Sequence, residues 1–189
     1  SKYMVAQGFK DIYTVGQTHS LLPSLQSGDT DIRKNMIYVG EIGKVDLMLL
    51  KNLALLGKEL DFEIDVYGPN PPSDFEYVNY LGLVQNEKLP AVLKKYKVGL
   101  MPYKNIDKFR IGQNPIKLLE YGICGLSILS TWHEEYDYQP KIDNLFIINN
   151  SLDKSVVLEA LNASLSSRDL AWFSSRYYLN VYDKICLKY

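Results

Sequence analysis

The feature that most constrains this chain is the alternation of short apolar runs, several closed by glycine, with runs of helical spacing. MIYVG at 36–40, FEIDVYG at 62–68 and YVNYLG at 77–82 each end on glycine. VGLM at 98–101, LSILS at 126–130 and NLFII at 144–148 are further strand-like runs. Between the first two, Leu47, Leu49, Leu50, Leu53 and Leu56 recur at the spacing of a helix face. Residues 88–96 and 115–123 repeat that pattern, and one or two more helices follow from Leu152. Strands separated by helices imply right-handed crossovers and a mostly parallel sheet. The fold expected is α/β, with a doubly wound parallel sheet.

Composition narrows the function. The 189 residues carry 21 Lys and Arg against 22 Asp and Glu, a net charge of −1, with no extended basic stretch. Nucleic-acid binding is not expected, since it rests on neutralising many phosphates. With 47% hydrophobic and 23% charged residues the chain is globular rather than disordered. Two cysteines, Cys124 and Cys186, both in apolar contexts, read as buried thiols in a reducing, cytoplasmic setting. No run is long and apolar enough to span a membrane. A helix end closing at Gly8, a short strand at 12–15 and a Ser-, Gly- and Asp-rich linker at 21–34 precede the first glycine-closed strand. The chain opens at Ser1 inside what reads as an element, as expected of a piece of something longer. The aromatic stripe Trp172, Phe173, Tyr177, Tyr178 and Tyr182 suits a C-terminal helix packed on the domain, or one partly covered by another.

In open parallel sheets, ligands bind outside the carboxyl ends of the strands at the topological switch point, so the loops after each strand carry the chemistry. No GxGxxG follows the first strand and no GxxxxGK[ST] occurs, which disfavours a dinucleotide site and a P-loop. The most informative segment is IGQNPIKLLEYGICGLSILST, 111–131. Asn114 suits an N-cap and Pro115 the first helical position. Gly112 lets the entering loop approach a ligand. The helix N-terminus, with Lys117 in its first turn, is a site for an anion such as a diphosphate. Glu120, three residues on and on roughly the same face, can accept bonds from two vicinal hydroxyls, such as those of a ribose. An ordinary amphipathic helix with a solvated Lys–Glu pair is the plainer alternative. Gly122 allows close packing, and Gly125 is placed to end the helix. His133, and Glu134, Glu135 and Asp137 beside it, fall after the fifth strand, where a surface loop is the default and a ligand contact by His133 the sharper reading. His19 and His133 form no metal-ligand pattern.

From Tyr38 to Thr131 the sequence resembles the C-terminal, donor-binding domain of GT-B glycosyltransferases. It is nearest to bacterial group 1, family 4-like members with a pattern of the type P-x-K-x-x-E-Y-x-x-x-G-x-P-V. Pro115, Lys117, Glu120, Tyr121 and Gly125 stand at its positions, with Ser127 and Ile128 closing it. The order YVGEI, a Leu-rich helix, DVYGP, VNYLGLVQNEKLPAVLKKYKVGLMPY also follows the family. The resemblance implies one Rossmann-like half of a GT-B fold. It divides the chain into the end of an N-terminal domain and a linker (1–34), a donor-binding domain (35–166), and a C-terminal helix (167–189) packing back toward the absent N-terminal domain.

It also implies a glycosyltransferase that moves a sugar from a UDP- or GDP-sugar to a glycan or lipid-linked acceptor, as in surface polysaccharide biosynthesis, without a metal cofactor. On that reading Glu120 holds the ribose hydroxyls, while Lys117 and the backbone of Asn114, Pro115 and Ile116 meet the diphosphate. Gly40 and the loop 41–44 border the phosphates, with Lys44 a second cation. Gly82, Leu83 and Val84 run along the base, and Pro102 and Tyr103 line the sugar side. The family often carries a glutamate where Gly112 stands, an arginine at Glu41 and an aspartate at Lys97. Sugar contacts accordingly pass to Gln113 or Asn114. Acceptor and general base belong to the absent domain, so no catalytic residue is assigned. Peripheral association of the full-length protein with the inner membrane face fits this picture. A nucleotide-sugar epimerase of the same fold, or a non-catalytic partner of an active transferase, are the alternatives. A receiver-type signalling domain fits least, because no acidic pair ends the first strand.

Overall fold

The structure, a computed structural model, describes residues 36–69, 71, 76–106, 116–138, 141–149, 152–164 and 166–176. The expected elements at 1–34, the helix start at Asn114 and Pro115, and residues 177–189 lie outside these. Six strands form one sheet: β1 (Met36–Val39), β2 (Ile64–Tyr67), β3 (Asn79–Gly82), β4 (Val98–Met101), β5 (Ser127–Ser130) and β6 (Leu145–Ile147). Every pairing is parallel and the order is β3-β2-β1-β4-β5-β6. This is the doubly wound, Rossmann-like arrangement, and its switch point falls between β1 and β4.

Among the described residues five helices flank the sheet: α1 (Leu47–Leu60), α2 (Leu89–Leu93), α3 (Ile116–Ile123), α4 (Lys154–Asn162) and α5 (Ser167–Ser175). The period-2 alternation of each strand divides the core into two layers. Met36, Tyr38, Val66, Leu100 and Leu129 meet Leu50 and Leu53 of α1 and Val157 and Ala160 of α4. On the opposite face Ile37, Met101 and Ile128 meet Leu93 of α2, Leu118 and Tyr121 of α3, and Phe173 of α5. Strands β4 and β5 are buried on both faces, which explains why they read as unbroken apolar runs.

The helix ends follow local chemistry. Asp46 caps α1 by accepting the Leu49 N–H at 3.0 Å. Helix α3 closes as expected at Gly125, whose φ of 82° is the left-handed conformation glycine adopts without cost. The Leu126 N–H bonds the Tyr121 carbonyl (3.1 Å) and the Gly125 N–H the Gly122 carbonyl (3.0 Å), the paired bonds of a Schellman motif. Gly122 serves α5: a Cβ there would stand 2.1 Å from Cζ of Phe173. Helix α5 therefore seats on α3 of this domain, with Phe173 fully buried. The third strand starts two residues later than its sequence suggests, at Asn79 rather than Tyr77. The apolar face expected over 88–96 resolves into a short 3-10 turn and the five residues of α2, because Pro90 sits in the first turn and the chain turns out again at Lys94.

Candidate functional site

At the carboxyl ends of β1, β2 and β3 the three glycines draw the backbone together. The Gly40 N–H bonds the Tyr67 carbonyl and the Gly68 N–H bonds the Gly82 carbonyl, both at 2.8 Å. A Cβ on Gly68 would lie 2.2 Å from the Gly40 carbonyl oxygen, so only glycine lets these loops touch. Gly40 itself has φ +140°, a conformation that side chains rarely adopt.

Helix α3 lays its first turn across this glycine. A Cβ on Gly40 would meet Cε and Nζ of Lys117, both at 2.8 Å, and Oη of Tyr38 at 3.3 Å. The Lys117 ammonium also stands 5.9 Å from the centroid of the Tyr38 ring. Lys117 and Glu120 are both half-buried, and among the described residues neither makes a hydrogen bond or ion pair. Burial pulls the Lys117 pKa below a lysine's usual 10.5; Glu120 opposes that shift and Lys44 adds to it. Burial likewise raises the Glu120 pKa, with Lys117 acting in the opposite sense. For each member desolvation outweighs the attraction of the other, so the two charges are held near each other without satisfying each other.

The loop after β1 and the loop after β4 are fastened across the switch point. Val45 bridges Tyr103, the Asp46 N–H bonds the Pro102 carbonyl (2.8 Å), and the Lys104 N–H bonds the Lys44 carbonyl (2.9 Å). Lys104 Nζ donates to the Gly43 carbonyl at 2.8 Å. Thr131 at the end of β5 accepts the Tyr103 N–H at 3.1 Å. Pro102 and Tyr103 are buried, and the Tyr103 phenol is raised above its ordinary pKa by burial and by Glu120.

Of the residues singled out in the sequence, Gly40, Lys117, Glu120 and Tyr103 therefore converge at the switch point, with exposed Lys44 near enough to act on Lys117. Ile116 opens α3 and is 39% exposed. Gly82, Leu83 and Val84 continue β3 beyond Gly68, with Leu83 77% exposed, at the outer end of the row of loops. Gln113, Asn114 and Pro115, and Gly112 before them, lie outside the described residues. Tyr38, Tyr121 and Lys104 were not singled out as site residues. The one signal was the tyrosine in YVG, alternating with Val39 onto the buried face before the glycine.

The loop after β5 corrects an expectation. His133 is not on a surface loop: it is 1% exposed, 5.6 Å from the Tyr136 ring, and burial lowers its pKa. Tyr136 shares a 2.7 Å hydrogen bond with the buried Ser130 hydroxyl. This turn, Glu134–Tyr138, closes over the end of β5, with Tyr136 packed against the core. Among the described residues no three His, Cys, Asp or Glu side chains gather as metal ligands, and no helix is long and apolar enough to cross a membrane.

Sheet order, switch point and flanking helices together define an α/β, Rossmann-like fold of the kind that makes up one half of a GT-B glycosyltransferase. No protein-family model and no curated protein matches the sequence. Among solved structures the chain is similar to TarM, a GT-B glycosyltransferase, at a TM-score of 0.60 and 13% identity, over 98% of this chain and 41% of that one. A point mutant of S. aureus TarM, solved with fondaparinux, alpha-GlcNAc-glycerol and UDP, gives a TM-score of 0.50 at 13% identity, over 96% of this chain and 38% of that one. The chain thus spans about two fifths of the length of these neighbours.

Proposed function

We propose that this chain is the donor-binding half of a glycosyltransferase, holding a nucleoside diphosphate sugar at the switch point between β1 and β4. The observation that carries the reading is the half-buried Lys117 against Gly40, with Glu120 one turn deeper and no mutual ion pair. A diphosphate supplies the anion that Lys117 lacks, and a ribose diol supplies the donors that a desolvated carboxylate needs. Glu120 takes the ribose hydroxyls, Lys117 and Lys44 the diphosphate, and the backbone of Gly82, Leu83 and Val84 runs along the base. Asn114, Pro115 and Ile116 contribute N–H or helix-end dipole to the phosphates, and Gln113, Pro102 and Tyr103 border the sugar. UDP is the donor nucleotide preferred, since the neighbouring TarM structure contains it.

In transfer, the bond between the anomeric carbon and the diphosphate oxygen breaks while the acceptor oxygen bonds that carbon. Negative charge grows on the departing diphosphate, where Lys117 and Lys44 stabilise it. A glycan or lipid-linked acceptor, with the group that takes its proton, would face this site from a second domain. The cytoplasmic face of a membrane is the setting that suits such an acceptor.

Titration calorimetry with UDP and GDP tests the reading. Lys117→Ala and Glu120→Ala should each weaken binding by roughly 1–3 kcal/mol, the loss of one charged hydrogen bond. Variants that both bind as the parent does would remove the site assignment. Release of free sugar or an epimer without acceptor would favour an epimerase, and no nucleotide-induced rise in melting temperature would favour a non-catalytic partner.

A further inference from the structure

We propose that Tyr121 is a positioning residue: a strut from α3 to the end of β1 that sets where the Lys117 ammonium stands against Gly40. Its bearing on ligand binding rests on the donor-site reading above; its bearing on Lys117 does not.

Successive N–H groups along β1 point alternately toward β2 and β4. Those of Met36 and Gly40 face β2 and bond the carbonyls of Glu63 (3.0 Å) and Tyr67 (2.8 Å). The Val39 N–H faces the other way, and there the ladder has already ended. Strands β1 and β4 pair only at Met36 with Val98 and Ile37 with Gly99, because the chain diverges at the switch point. Even a partly buried N–H left without a partner is costly. The Tyr121 hydroxyl fills the gap, accepting the Val39 N–H at 3.1 Å.

To arrive there the ring crosses β4 over Gly99. A Cβ on Gly99 would lie 2.3 Å and 2.4 Å from Cδ2 and Cγ of Tyr121, so the strand is cleared of a side chain beneath the ring. Tyr121 is 1% exposed. Tyr121 and Lys117 are four residues apart on α3 and so stack one above the other. Their contacts on β1, Val39 and Gly40, are consecutive. The helix is thus registered on the strand at two adjacent points, one a hydrogen bond and the next the ammonium itself. Core packing alone would need only the ring; the hydroxyl is what fixes the spacing.

Tyr121→Phe keeps the ring over Gly99 and removes the tie. We expect UDP to bind roughly tenfold more weakly, and the Lys117 amine, followed by NMR of its side chain without nucleotide, to titrate closer to 10.5 as it leaves its desolvated place. In the parent, the Val39 amide should be as protected from exchange as its neighbours in the β1–β2 ladder. A variant that loses melting temperature but keeps both the Lys117 titration and UDP affinity would overturn the proposal, as would a freely exchanging Val39 amide. A parent that binds no UDP would refute the donor-site reading instead, and the Lys117 titration would still decide the strut.

Discussion

Replacing Gly40 by alanine tests whether the glycine at the end of β1 serves the fold or the lysine. Two costs can be read from the structure. The residue sits at φ +140°, and holding a non-glycine residue in such a region costs about 1–3 kcal/mol. The new methyl would also stand 2.8 Å from both Cε and Nζ of Lys117 and 3.3 Å from Oη of Tyr38. The lysine end is flexible and yields; Tyr38, fully buried and donating to the Glu41 carbonyl at 2.8 Å, does not. The strain therefore falls on stability, and the displacement falls on the Lys117 ammonium. Thermal or urea unfolding should show a loss of about 1–3 kcal/mol. UDP calorimetry should show a separate loss of similar size, because the cation no longer stands where the diphosphate would meet it. A double-mutant cycle separates the two. If Gly40→Ala acts on binding through Lys117, then in the Lys117→Ala background it costs stability but almost no further affinity. Additive losses of affinity, or a Gly40→Ala variant that binds UDP as the parent does, would refute the reasoning.

Four further outcomes are expected. UDP affinity should fall as pH rises, beginning below the range of an ordinary lysine, because an anion binds the protonated amine and burial has lowered the Lys117 pKa; calorimetry of Lys117→Arg should lack that early fall. Over the same range the empty parent should gain stability relative to Lys117→Arg in urea melts, since the unfolded chain holds the lysine proton to higher pH than the folded one. Gly122→Ala should destabilise by about 1–3 kcal/mol, its methyl meeting Phe173 Cζ at 2.1 Å, and Phe173→Leu should recover part of that loss. Asp169→Ala should cost about 1–3 kcal/mol in the same assay, because the buried Asn144 N–H loses the carboxylate it bonds at 3.0 Å.

The sheet was legible because its strands announce themselves. Apolar runs ending on Gly40, Gly68 and Gly82 mark where three loops meet, and Gly125 marks the end of α3. The pairing of Lys117 with Glu120 was legible from spacing on one helix face. What spacing could not give was the partner across the sheet: that Lys117 lies on Gly40 depends on a crossover between elements 77 residues apart, β1 and α3. The tyrosines were hidden for a related reason. Tyr38 stands in an apolar strand and reads as core, which it is; Tyr121 stands in the helix motif, and only the tertiary structure shows it buried and bonding Val39. His133 was misplaced on a surface loop because the polar run around it masked two inward-facing rings.

The electrostatics of the site argue for a ligand rather than for a structural pair. A Lys–Glu pair that served stability alone would be closed into contact or left in water, where each partner keeps its ordinary pKa. Here both are half-buried, both are shifted toward their neutral forms by burial, and neither is bonded to the other. The neighbouring groups do not repair this. Tyr38 gives its proton to the Glu41 carbonyl, and Tyr121 is engaged with Val39. Lys104 is tied to Gly43, and Lys44 adds charge of the same sign to Lys117. The fold thus holds a cation and a carboxylate one helical turn apart at the mouth of a parallel sheet, and among the described residues neither has the partner that would neutralise it. A molecule carrying an anion and a pair of hydroxyls at that spacing would bind by relieving a cost the empty protein already bears. On the donor-site reading proposed above, a chain with a net charge of −1 would need no basic surface to take up a nucleoside diphosphate.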